Sequence, residues 1–210
     1  MSVKRVLLLV MVLAAGAATS EAGITGSKHD FHNLSWSRGQ ICLPCHAPHN
    51  NLNTGGTLLW NHASSTAVYT FYSSPTMNAT TPTVMSDISK TCMGCHDGTV
   101  AIDSFGGTNG TTIIALNSRM GQALGNDHPV SITYNAALAT ADRHLFNPSV
   151  ALSGMGTGST TVEADMLYGV AGFKKVECNS CHDVHNQYNI PGMLKKTNAG
   201  SQLCLTCHNQ

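Results

Sequence analysis

Cys42-Leu43-Pro44-Cys45-His46-Ala47-Pro48-His49-Asn50 and Cys178-Asn179-Ser180-Cys181-His182-Asp183-Val184-His185-Asn186 are two copies of one phrase, C-x-x-C-H-x-x-H-N. Each is followed by a plain C-x-x-C-H, at Cys92-Met93-Gly94-Cys95-His96 and at Cys204-Leu205-Thr206-Cys207-His208. All 8 cysteines of the 210-residue chain fall in these four pairs, and a histidine follows each pair at once. Two thiols three positions apart reach the two vinyl groups of one haem and form thioether links. The adjacent histidine meets the iron from the same side, as in covalent attachment of haem c. The cofactor expectation is therefore four covalently bound haem c groups, with His46, His96, His182 and His208 as proximal ligands.

Other readings of the cysteines fit less well. Four disulfides suit a secreted chain by count but do not demand a histidine after every second cysteine. Half a zinc site accounts for C-x-x-C but not for the constant third letter. A thioredoxin-like pair occurs once in a domain, not four times.

Seven histidines remain, His29, His32, His49, His62, His128, His144 and His185. Four irons take up to four further ligands, so this surplus points to bis-histidine ligation. Methionine is the rival sixth ligand, but it is also ordinary core filler. His49 and His185, three residues beyond a proximal histidine, are the best placed. Each is too near its own proximal histidine to share that iron and is expected to serve a neighbouring haem. His29, His62 and His128 complete the distal candidates. His32 and His144 read as loop histidines or as donors to a haem propionate.

Charged residues are 10% and aromatic residues 6% of the chain. Eleven basic and 11 acidic side chains balance, which excludes a basic nucleic-acid binder. No apolar run reaches the length of a membrane span. Lys4 and Arg5, the apolar run from Val6 to Ala15, and small residues around Ala22 read as a secretory leader over residues 1–22. The chain from 23 to 210 then reads as a single tetrahaem domain of 188 residues. One haem pair lies at about 39–99, an insert without the motif at about 100–174, and a second pair at about 175–210. Secondary-structure signals are weak. Val68 to Tyr72, Thr111 to Leu116 and Val130 to Tyr134 read as short strands, and Asn135 to Arg143 and Glu163 to Tyr168 as short helices. The expected fold is mostly coil and loops, with few short helices and minimal strand, and with haem faces standing in for an apolar core.

The phrases CLPCHAPHN (42–50), LLWNH (58–62), CMGCHDGTVA (92–101), DHPV (127–130), CNSCHDVHN and CLTCH resemble the doubled C-x-x-C-H multihaem cytochromes. They are similar in particular to the filament-forming tetrahaem extracellular cytochromes of metal-reducing bacteria. The resemblance implies four bis-histidine haems in a continuous stack, with His29, His49, His62, His128 and His185 as the distal pool. It also implies a head-to-tail homopolymer at the extracellular surface, in which an axial histidine crosses the subunit interface. His29 is the first candidate for that donor. Redox-partner cytochromes and extracellular acceptors are the implied partners, and no enzymatic activity is expected. A soluble periplasmic carrier and a multihaem reductase are the other readings the residues leave open.

Overall fold

The computed structural model describes residues 23–52, 58–155 and 158–209. The leader expected over residues 1–22 lies outside them. Regular structure is sparse. In chain order it comprises β1 (Thr70–Phe71), α1 (Asp87–His96), β2 (Ala123–Leu124), β3 (Ile132–Thr133), α2 (Ala136–Asp142), α3 (Val162–Asp165), β4 (Lys175–Val176) and α4 (Cys178–Cys181). Single 3-10 turns stand at Ser35–Ser37, Leu116–Ser118, Ala199–Ser201 and Cys204–Thr206. β1 pairs in parallel with β2, and β3 antiparallel with β4, two residues on each side. The chain is mostly coil, as its composition predicts.

The helices have local causes. Asp87 sits in the first turn of α1, where the helix dipole favours a carboxylate. The chain leaves that helix through Gly98 at φ 76°. Asn135 caps α2, its side-chain oxygen accepting from Leu138 N at 3.0 Å. Thr161 caps α3 by accepting from Ala164 N at 3.3 Å. The strand expected at 111–116 does not form. Asp103 Oδ1 takes the Thr112 N–H at 2.8 Å and Oδ2 the Thr111 N–H at 3.2 Å, so a carboxylate satisfies donors that a sheet would have used. The helix expected at 163–168 begins one residue earlier and ends at Asp165.

Two small apolar clusters form. One gathers Met85, Met93 and Leu124. The other gathers Tyr134, Ala139, Met155, Val162, Met166, Leu167 and Leu203, with Cys181 and Cys207 packed against it. Six of those seven come from the insert, so the insert is the wall around the second motif pair and not a separate body. Four of the methionines are thus buried filler: Met85, Met93, Met155 and Met166. The N-terminal segment is tied down at both ends. Asn186 Nδ2 donates to Gly23 O at 3.1 Å, and Trp36 stands between Phe31 and Phe105 at centroid distances of 5.3 and 6.0 Å.

Candidate haem-binding site

Each C-x-x-C-H forms about one helical turn. His46 N, His182 N and His208 N donate to the carbonyl of the first cysteine of their motif at 2.8, 3.1 and 3.0 Å, and the second motif is the last turn of α1. A turn places residues i and i+3 on one face, with i+4 beside them. That is the arrangement two thioethers and one axial ligand need. Three proximal rings are also fixed through Nδ1, which faces Leu58 O (2.6 Å) in His46, Ser118 O (2.8 Å) in His96 and Gly192 O (2.9 Å) in His182. A carbonyl at Nδ1 holds the proton there and leaves Nε2 as the metal-binding nitrogen.

No disulfide joins any of the eight cysteines. Burial pushes the Cys45 thiol up to about 11 and the Cys95 and Cys207 thiols up to about 12, the mark of apolar surroundings. Cysteines of different motifs come close to one another. Cys45 is electrostatically coupled to Cys95, Cys92 is within hydrogen-bonding reach of Cys178, and Cys181 feels Cys204 and Cys207.

Three further histidines stand opposite proximal ones. The ring centroids are 6.0 Å apart for His29 and His96, 6.3 Å for His46 and His185, and 6.4 Å for His128 and His208. With metal–imidazole bonds of about 2.0–2.1 Å, two rings on opposite sides of one iron have centroids about 6.3 Å apart. Rotation about the ligand axis leaves that distance unchanged, so the interplanar angles of 88°, 21° and 83° are all compatible. His29 adds a second sign. Its Nδ1 is buried and has no hydrogen-bond partner, and burial, then His96, lowers its pKa to about 4. A neutral ring with a lone pair is what a metal requires. Among the described residues no three His, Cys, Asp or Glu side chains converge as an ordinary metal-ion site. The ring spacings and the unpartnered nitrogen of His29 fit haem iron between paired rings.

The remaining candidates are placed otherwise. His62 is buried, with Nδ1 2.8 Å from Ala63 O and Nε2 3.1 Å from Ala101 O. Both nitrogens face carbonyls, no proximal ring stands opposite it among the described residues, and its Nε2 lies 3.4 Å from the Cys95 sulfur. His49 is exposed, with Nδ1 3.3 Å from Asn50 Nδ2. His32 is held by Asp30 Oδ1 at 2.5 Å, and His144 is an exposed loop residue. His29, expected as a donor to a neighbouring chain, faces His96 of its own chain. Sequence reasoning passed over three buried carboxylates beside the motifs, Asp97, Glu177 and Asp183. The C-x-x-C-H-D spelling of the second and third motifs was the available signal for two of them.

Residues 171–210 match the family described as the doubled CXXCH motif. No curated protein matches the chain. The motif indicates covalently bound haem c and is consistent with a multihaem c-type cytochrome.

Proposed function

From covalent haem c on doubled motifs, we propose that this chain is a tetrahaem electron-transfer protein that is secreted and polymerises head to tail into an extracellular filament. The observation that carries the reading is the set of three opposed histidine pairs at iron-spanning distance. In this reading Cys42 and Cys45, Cys92 and Cys95, Cys178 and Cys181, and Cys204 and Cys207 hold the four haems. His46 with His185, His96 with His29, and His208 with His128 fill the axial positions of three of them. Haem supplies one-electron redox chemistry when bound. The chain sets spacing, ligation and burial. Two histidines per iron leave no position for a substrate, so the chain acts as a carrier and not as an enzyme.

His182 is the proximal histidine without a ring opposite it among the described residues. Of the distal pool, His49 and His62 are left over; His62 is buried between two carbonyls, and His49 is exposed. The internal repeat supports joining His49 to His182: His185, three residues after His182, faces His46, and the reciprocal relation sends His49 to His182. We assign this fourth pair to two neighbouring copies, a heterologous contact that propagates without closing. Electron microscopy of the haem-loaded protein, sheared from cell surfaces, tests the assembly. Uniform filaments of this chain with four haems by mass are expected. Discrete single-chain particles at every concentration would instead make it a diffusible carrier.

A further inference from the structure

Glu177 is buried at 3% exposure, immediately before the first cysteine of the third motif. Its carboxylate accepts hydrogen bonds from Ser86 Oγ and Ser89 Oγ, which open α1, the helix that ends in the second motif. Ser89 Oγ accepts in turn from Cys178 N at 3.1 Å, and Ser180 Oγ from Glu177 N at 2.8 Å. Cys92 and Cys178 lie within hydrogen-bonding reach of each other beside this group. Glu177 thus occupies the seam between the attachment points of the second and third haems. Both of its oxygens act as acceptors of hydroxyl protons, as an ionised carboxylate does.

A buried carboxylate ordinarily has a cation partner, because hydrogen bonds alone do not repay the loss of water. Among the described residues the ion pairs are His32–Asp30 and His185–Asp183, and none reaches Glu177. The neighbouring motifs supply the missing charge. A ferric haem carries one net positive charge at its centre, which reduction removes. A fixed anion in the seam therefore favours the oxidised state of the haems on either side. Asp97, buried next to His96, adds to the same field on the second motif. Lys195 offsets Asp183 at the third motif, and Lys196, whose Nζ donates to Thr206 Oγ1 at 2.9 Å, brings positive charge to the fourth. The first motif has Ala47 where the second and third have aspartate.

We infer that Glu177 is the fixed negative charge that holds the haems of the second and third motifs at lower potential than those of the first and fourth. The inference rests on the tetrahaem reading above, and the experiment separates the two. Mass spectrometry and low-spin spectra of the wild-type chain first establish four bis-histidine haems; fewer haems would sink that reading itself. Spectroelectrochemical titration of the haem-loaded Glu177→Gln variant, which keeps the shape and removes the charge, then tests the inference. The reduced form of the two lowest couples should gain about tenfold, ~59 mV for a one-electron couple, while the upper two stay in place. Glu177→Asp, which keeps the charge but disturbs the network, should leave the four couples near wild type. Four unmoved couples in Glu177→Gln, a uniform shift of all four, or an equal rise in Glu177→Asp would overturn the inference. The wild-type backbone gives an independent reading should the glutamine variant not assemble. His185→Met or His128→Met marks the first or the fourth haem by raising its couple. The marked couples should come from the upper pair, and a mark on the lowest couple would also overturn the inference.

Discussion

At the scale of single residues, the two histidines that differ most are His29 and His62. Both come from the same sequence pool, and the structure gives them opposite surroundings. His29 has a buried nitrogen with no partner and a proximal ring 6.0 Å away. His62 has carbonyls at both nitrogens. Replacing His29 with Met should raise one of four potentials and leave three in place, because a thioether favours the ferrous iron more than imidazole does. A titration with all four couples unmoved would remove His29 from the ligands. Replacing His62 with Phe should leave all four low-spin spectra intact. It strands the carbonyls of Ala63 and Ala101, a cost of about 1–3 kcal/mol in thermal or denaturant unfolding. A high-spin iron in that variant would return His62 to the ligand pool. In the sequence both residues stand in one pool of candidates. Nothing in it separates them, because the carbonyl of Ala101 is 39 residues from His62.

At the scale of elements, each motif is a short turn that other segments must hold in place. Asp97, the residue after α1, does this at the second motif. It accepts from Tyr69 OH at 2.7 Å, Thr99 N at 2.7 Å and Thr99 Oγ1 at 2.8 Å, and also from Ser65 Oγ. Burial pushes its carboxyl up, but the hydrogen bonds from Ser65, Thr99 and Tyr69 outweigh that and hold it below the usual carboxylate range. The sign follows from linkage. With the folded-state pKa depressed, the contribution is complete above the ordinary value of about 3.9 and is lost as pH falls through the folded value. Asp97→Asn should therefore destabilise the protein by roughly 1 kcal/mol or more at neutral pH. The gap to wild type should close as pH drops below about 4. A gap independent of pH in denaturant titrations would mean the loss comes from shape and not charge. A helix cap gives a simpler case. Asn135→Ala should cost about 1 kcal/mol of unfolding free energy without moving any haem potential. Elements of this kind were partly legible: α2 falls inside the expected 135–143, and β3 inside 130–134. The longest helix, α1, went unread because its sequence has no apolar stripe and its order comes from contacts with Ser131 and Glu177 in distant segments.

At the scale of the molecule, motifs that follow one another along the chain are also neighbours in space: Cys45 lies near Cys95, Cys92 near Cys178 and Cys181 near Cys204. The third motif nevertheless reaches back to the first through His185. That crossing makes the repeat asymmetric within one chain: His185 faces a proximal ring, whereas His49, its equivalent, faces none among the described residues. In the proposed reading, His49 and the proximal ring of His182 are complementary halves of one contact. If that contact joins copies, ligation and assembly must rise and fall together. Assembled protein should show low-spin iron throughout. Protein dispersed by dilution or mild denaturant should show a high-spin ferric signal from one of its four haems, and reassembly should remove it. His49→Ala should carry that signal at every concentration and should not polymerise, whereas His144→Ala, another exposed histidine, should behave as wild type. Fully low-spin iron in the dispersed chain would place the fourth ligand within the chain, and the exposed His49 would then need another explanation.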